Sequence, residues 1–236
     1  MKLTTVLFDL DGTLLPMDLE EFLHTYIAGL CRHAAAYGLE PEKFSAAIRA
    51  GIGAMLENDG TRTNYDAFWD AMVASYGSRE IWNEELFESF YQTQFPRYEA
   101  LCGKAPQAAE TVHLLKARGI RVALATNPMF PVVATAQRIA WTGLRYEDFA
   151  LVTSYENSSF SKPKLDYYRQ VLSSLQVRPE ECVMVGNDVG EDMCARELGM
   201  EVFLLTDCLI NRKNVPIEGY PHGSFDRLQE FLLERL

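Results

Sequence analysis

Two acids one residue apart, Asp9 and Asp11, close a short apolar run near the start of the chain and lead into Gly12 and Thr13, in the stretch VLFDLDGT. On an extended backbone residues two apart point the same way. Two carboxylates would then face one space and repel unless a cation sits between them. Further polar groups follow a much later apolar run, in GNDVGED (186–192), which holds Asn187, Asp188 and Asp192. Oxygen donors with no neighbouring Cys or His pair favour a hard cation, Mg²⁺ above all. Lys162, in SKPK, offers an ammonium that offsets such charge and grips an anion. Pro163 keeps it extended and can take the first position of the helix that follows. Thr126 and Asn127 end a third apolar run, where a hydroxyl and backbone N–H groups can hold phosphate oxygens. Gly12 permits an unusual backbone turn just past the acids, and Thr13 can steady it. A lone strand-end Asp serves equally well as a turn former, and an isolated Lys as a surface residue. The signal is the convergence of several segments distant in sequence.

The elements that must position these groups are legible as short apolar runs: 3–9, 120–126, 181–186 and 201–205, with a weaker one at 148–153. Helical patterns lie between them, at 106–118, 129–140, 163–175 and 189–199. Such alternation predicts a parallel sheet covered on both faces, and in such sheets sites form at the C-terminal ends of the strands. The polar residues above all fall at such ends. Between the first and second strand no strand signal occurs. Leu19, Phe22, Leu23, Tyr26, Ile27 and Leu30 share one helical face, and Asp18 with Glu21 resembles a capping box at its start. Further helices are expected around Phe44–Met55, Tyr65–Tyr76 and Leu86–Tyr91. Their apolar stripes read as core. The fold class is therefore α/β, a Rossmann-like parallel sheet core (1–16 and 93–236) with an inserted all-helical cap domain (17–92). The tail from 206 reads as an irregular loop, with a last helix from Asp226.

Composition narrows the class of function. With 236 residues and 48% hydrophobic content the chain has material for a sizeable core. Its net charge of −11 argues against a nucleic-acid partner, and no apolar run approaches a membrane span. Five scattered cysteines, Cys31, Cys102, Cys182, Cys194 and Cys208, form no C-x-x-C pair. They read as free thiols in a reducing, cytoplasmic setting. No secretion signal is expected.

The ordered set DLDGT (9–13), Thr126, Lys162 before Pro163, and GNDVGED (186–192) resembles the four motifs of the haloacid dehalogenase-like hydrolase superfamily. The helical insert resembles its type 1 cap, and the spacing is similar to the phosphoglycolate phosphatase-like subgroup. The resemblance implies a Mg²⁺-dependent phosphatase that hydrolyses a small phosphorylated metabolite through an aspartyl-phosphate. Asp9 would be the nucleophile and Asp11 the general acid and then base. Thr126, Asn127 and Lys162 would hold the phosphoryl group. Asp9, the Asp11 carbonyl and Asp188 would bind the metal. Family members often read GD where this chain reads GND, so either Asn187 or Asp188 fills the first acidic place; a carboxylate is the better Mg²⁺ ligand, which favours Asp188. Asp192 would then help through a water or by orienting Lys162, and Asn187 would support. Asp11 argues for phosphate over carbon–halogen chemistry, because only an alcohol leaving group needs a proton. A phosphomutase and a catalytically silent binding protein are the alternatives on this fold. The substrate is set by cap residues, of which His24, Arg49, Arg62 and Asn64 are polar and expected to face solvent. Oligomeric state is not readable.

Overall fold

A computed structural model describes residues 2–236. Its centre is a sheet of β1 (Thr5–Phe8), β2 (Arg121–Leu124), β3 (Cys182–Gly186), β4 (Glu201–Leu205) and β5 (His222–Gly223), in the order β2-β1-β3-β4-β5 and parallel throughout. Thr5 stands level with Arg121 on one side and Cys182 on the other, so β1 ends beside both neighbours. The run at 148–153 forms no full strand. It still runs beside β2, with the Ala150 and Thr153 N–H groups donating to the Val122 and Leu124 carbonyls at 2.8 and 3.0 Å and the Leu124 N–H to the Leu151 carbonyl at 2.8 Å, and it forms one parallel bridge, Leu124 to Val152. β5 lies in the tail read as irregular; at two residues it is too short to show a period.

The sheet is buried on both faces, as alternation along each strand requires. Val6, Phe8, Val183, Val185, Phe203 and Leu205 face one layer. Behind it pack α5 (Pro106–Ala117), α6 (Val132–Trp141) and α8 (Phe225–Leu233). Leu7, Cys182, Met184, Val202 and Leu204 face the other, covered by Tyr167, Tyr168, Val171 and Leu172 of α7 (Leu165–Leu175). α7 starts two residues after Pro163, with Lys164 at its N-cap, so Pro163 does not take the first helical position. The segment expected as a helix at 189–199 is a 3₁₀ turn over Met193–Leu198.

Between β1 and β2 stand α1 (Leu19–Ala36), α2 (Pro41–Glu57), α3 (Asn64–Tyr76) and α4 (Glu84–Thr93). The Asp18 side chain accepts from the Glu21 N–H at 3.0 Å and caps α1. This satisfies one of the donors a helix start leaves open. The chain leaves the sheet and returns to it side by side: the Gly103 N–H donates to the Pro16 carbonyl at 2.7 Å, and Met17 bridges Cys102. Phe22, Leu30, Phe44, Phe90 and Phe95 join the same apolar cluster as the first face of the sheet, so the helices share that core. A second tie runs from the start of α3. Asn64 and Tyr65 donate their backbone N–H groups to the Ser158 and Tyr155 carbonyls at 2.8 and 2.7 Å.

Two glycines in α2 separate packing from propensity. A Cβ on Gly51 would meet the Phe68 ring of α3 at 2.5 Å, whereas one on Gly53 would meet nothing within 4 Å. Gly51→Ala is expected to cost about 1–3 kcal/mol through overpacking. Gly53→Ala, two residues on, should gain about 0.5–1 kcal/mol by stiffening the unfolded chain. Urea midpoints of the two variants should move in opposite directions; a stabilised Gly51→Ala would contradict the α2–α3 packing.

Candidate active site

Asp9 follows β1 directly, its backbone N–H still donating to the Val185 carbonyl at 2.9 Å. Its carboxylate is buried. Oδ1 accepts from Lys162 Nζ at 2.8 Å, and Oδ2 lies 3.4 Å from the Thr13 hydroxyl. The same ammonium donates to Asp192 Oδ1 at 2.6 Å. Lys162 and Asp192 are each 1% exposed. Asp192 Oδ2 in turn accepts from the Asp188 N–H at 2.9 Å. Three segments, the ends of β1 and β3 and the turn before α7, are thus stitched through one nitrogen. The pairing between Lys162 and Asp192, one of two arrangements expected, is present.

Two glycines are set by close approach. Gly12 has φ +79°, and a Cβ there would lie 2.2 Å from Asn187 Nδ2. One on Gly186 would lie 2.1 Å from Asp192 Oδ2. Thr13 does steady this turn: its hydroxyl donates to Asn187 Oδ1 at 3.1 Å, while Asn187 Nδ2 donates to the Cys208 carbonyl at 2.6 Å. Asn187 is therefore a scaffold between the β1 turn and the tail.

The two acids of the opening motif do not share a partner. The backbone turns after Asp9, with the Thr13 N–H on the Leu10 carbonyl at 3.1 Å. The extended geometry that would aim both carboxylates alike therefore ends at the strand. Asp11 Oδ2 pairs instead with Arg138 Nη1, and Asp11 Oδ1 is buried with no hydrogen-bond partner. Arg138 is fully buried on α6 and lies 4.0 Å over the Phe130 ring. The sequence reading passed over it. Its signal was there: Ala134, Thr135 and Ile139 line the buried face of α6, and position 138 falls among them.

Asp188 occupies the expected strand end, but its oxygens are engaged. Oδ1 accepts from the Gly190 and Glu191 N–H groups at 2.7 and 3.0 Å, and Oδ2 accepts from Arg212 Nη1 at 2.5 Å. No group of three or more acidic, Cys or His side chains among the described residues gathers tightly enough to hold a metal ion by itself. Thr126 is buried, its carbonyl accepting from Thr153 Oγ1 at 2.7 Å and from the Tyr167 hydroxyl at 2.9 Å. Asn127 links the set: Oδ1 accepts from the Lys162 N–H at 3.3 Å, and Nδ2 donates to Glu191 Oε2 at 3.0 Å. Glu191 and Arg212, like Arg138, were not singled out from sequence. Of the polar residues of the helical segment, His24 is exposed, Arg49 holds Ser45 and Arg62 holds Asp70 at the surface. Asn64 departs from the solvent-facing expectation. It is fully buried, and Nδ2 donates to the Pro128 and Phe160 carbonyls at 3.3 Å each.

Burial pushes the Asp9 carboxyl above its ordinary range, against the pull of Lys162, and pushes Asp192 up to about 7. Burial also works against the Lys162 ammonium, but Asp192 and Asp9 more than offset it and hold it well above the usual lysine value. Lys162 therefore stays charged, and it pulls both carboxyls toward the ionised form against their burial.

The chain matches the family model for haloacid dehalogenase-like hydrolases over residues 3–197. Pyrophosphatase PpaX from Bacillus anthracis is 24% identical over 238 residues, covering 99% of this chain and 96% of that protein. The crystal structure of a HAD phosphatase from Thermococcus onnurineus superposes with a TM-score of 0.59 at 21% identity, over 98% of each chain. The HAD-hydrolase YfnB from Bacillus subtilis, solved with magnesium bound, gives 0.56 at 16% identity, over 98% of this chain and 99% of that one.

Removing the shared ammonium should be strongly destabilising and pH-dependent. Lys162→Met leaves Asp9 and Asp192 buried without a cation, so both folded-state pKa values rise further above the unfolded value of about 4. A group raised in the folded state contributes stability below its unfolded pKa and loses it as pH climbs through the folded one. The deficit of the variant against wild type, in metal-free buffer, should therefore be small at pH 5 and reach about 3–5 kcal/mol at pH 8. Thermal melts at the two pH values check this; an equal deficit at both would show that the acids do not depend on Lys162 for their charge.

Proposed function

Because the chain belongs to the haloacid dehalogenase-like hydrolase family, we propose that it is a Mg²⁺-dependent phosphatase that hydrolyses a small phosphate monoester through an aspartyl-phosphate on Asp9. The observation that carries this reading is the buried Asp9 carboxylate held by Lys162 Nζ at 2.8 Å, at the strand edge where Thr126, Asn127 and Asp188 also arrive. Asp9 attacks phosphorus, and the bond to the ester oxygen breaks. Asp11 gives its proton to the departing alkoxide, then takes one from the water that attacks the phosphoenzyme. Arg138 holds Asp11 Oδ2, so Oδ1, which has no partner, is the atom that carries that proton. Lys162 and the Thr126–Asn127 segment hold the phosphoryl oxygens, since transfer of this group needs mainly positioning and charge neutralisation.

The residues fit a hard divalent cation. Asp9, Asp11, Asp188, Asp192 and Glu191 bring five carboxylates, against the cations of Lys162, Arg138 and Arg212. The donors at hand are all oxygens. Asp9, the Asp11 carbonyl and Asp188 would hold the ion, Asp188 exchanging Arg212, whose side chain is 64% exposed and so weakly bound to it. The ion would polarise the phosphoryl oxygens and neutralise their charge. We take residues 17–92 as a cap over the core (1–16 and 93–236); where the chain leaves the core, Pro16 and Met17 are tied to Gly103 and Cys102 of the returning chain. Closure of such a cap would exclude water.

Hydrolysis of p-nitrophenyl phosphate tests the reading. Activity should appear with Mg²⁺ and vanish with a chelator. Asp9→Asn should lower kcat at least about a thousandfold, and Asp11→Asn about 10²–10⁴-fold. Acid quench of the working enzyme should leave a phosphoryl adduct on the Asp9 peptide. Full activity in Asp9→Asn would rule out the covalent route.

A further inference from the structure

Between α1, α2, α3, α4 and the Met129–Pro131 turn lies a chamber of about 780 Å³. That size suits a drug-sized ligand. Its walls are rings and methyl groups, among them Tyr65, Phe68, Trp69, Trp82 and Phe87, with Trp69 and Trp82 stacked at 5.5 Å. Of the polar atoms in the wall, the buried Trp69 Nε1 has no hydrogen-bond partner, a single neutral donor suited to a hydroxyl or ether oxygen, while others are paired within the protein. The Tyr26 and Tyr91 hydroxyls bond each other at 2.8 Å, and Gln137 Nε2 donates to the Tyr91 carbonyl at 2.8 Å. Among the described residues lining it, none is Lys, Arg or His; the charged ones are Glu84 and Glu88. A second phosphate, or a carboxylate on the substrate, would therefore enter an uncompensated, acidic and apolar space, which is strongly unfavourable.

None of Asp9, Asp11, Thr126, Asn127 or Lys162 lines the chamber, but Phe130 connects it to them. Phe130 forms part of its wall and carries the Arg138 guanidinium 4.0 Å above its ring. Arg138 in turn holds Asp11, the group that protonates the leaving oxygen. A leaving group attached at that oxygen has the chamber one ring and one guanidinium away. We infer that the chamber binds the leaving group, and that the substrates are phosphate monoesters of bulky, uncharged apolar or aromatic alcohols. Pyrophosphate and esters of small acids are then excluded. This substrate class rests on the phosphatase reading above.

The test compares 1-naphthyl phosphate, phenyl phosphate, 2-phosphoglycolate and pyrophosphate with Mg²⁺, and measures 2-naphthylmethanol binding to the same protein by calorimetry. The two aryl esters have leaving groups of similar acidity, so their ratio reports on the chamber. The expected result is a kcat/KM at least tenfold higher for naphthyl than for phenyl phosphate, and at least a hundredfold above the two anionic substrates, with the alcohol bound. Val133→Arg, at an exposed position on the chamber wall, should lower the naphthyl-to-phenyl ratio at least fivefold. Hydrolysis that favours phosphoglycolate or pyrophosphate, with no alcohol binding, overturns the inference and leaves the phosphatase reading standing. Alcohol binding without hydrolysis of any ester overturns the phosphatase reading, and with it the substrate class. An unchanged ratio in Val133→Arg, with the variant folded, also overturns the inference.

Discussion

The Lys162 ammonium, shared at 2.8 and 2.6 Å between the buried Asp9 and Asp192 carboxylates, fixes how three distant segments meet. Each charge taken out of water costs several kcal/mol, and mutual attraction offsets this only when the geometry is good and the remaining lone pairs are satisfied. Here they are largely satisfied: Asp192 Oδ2 takes the Asp188 N–H, and the Lys162 backbone is held by Asn127. The neighbourhood follows from that need. Gly186 has no side chain because the Asp192 carboxylate lies where a Cβ would be, and Gly12 has none because Asn187 does. The strands β1 and β3 must end level for this to work, and their register delivers that.

A second buried pair sits beside the first and works differently. Lys162 divides itself between two acids, while Arg138 serves one, with a planar fork that also reaches Thr135 Oγ1 at 3.3 Å and stacks on Phe130. A guanidinium suits that combination of ion pair and ring contact better than an ammonium. Its consequence is asymmetry in Asp11, one oxygen committed and one with no partner. The two acids of the opening motif, adjacent in sequence and alike in chemistry, therefore live in separate environments. That separation suits the two different roles proposed for them.

What sequence could and could not reveal follows the range of each interaction. The strand–acid–glycine motif, Lys162 and the GNDVGED stretch are local patterns, and the elements carrying them repeat with clear periods. The α/β class and the helices between β1 and β2 were legible for that reason. Arg138 was missed because an arginine on a helix carries no sign of its partner 127 positions away, although its place on the buried face of α6 was a clue. The helix expected at 189–199 is a 3₁₀ turn over Met193–Leu198, although Asp188 Oδ1 takes the Gly190 and Glu191 N–H groups as an N-cap would; nothing in the structure explains why the turn is not α-helical. The run at 148–153 has the composition of a strand and runs beside β2, but forms one bridge only. Asn64 reads as an ordinary polar helix residue; the loop carbonyls that bury it come from 128 and 160.

The same loops tie the helical segment to the chemistry. Asn64 binds the Pro128 carbonyl, and Tyr155 receives the Tyr65 N–H while donating its own to the Phe130 carbonyl at 3.1 Å. Phe130 lines the apolar chamber and also lies under the Arg138 guanidinium. A group that filled the chamber would meet the ring under Arg138, and Arg138 pairs with Asp11. Close-packed interiors transmit displacements because few voids absorb them. On the proposed reading, the pairing of Asp11 and the recognition of the leaving group would share one side chain, Phe130. A substrate too small to reach Phe130 would leave Asp11 positioned by the protein alone.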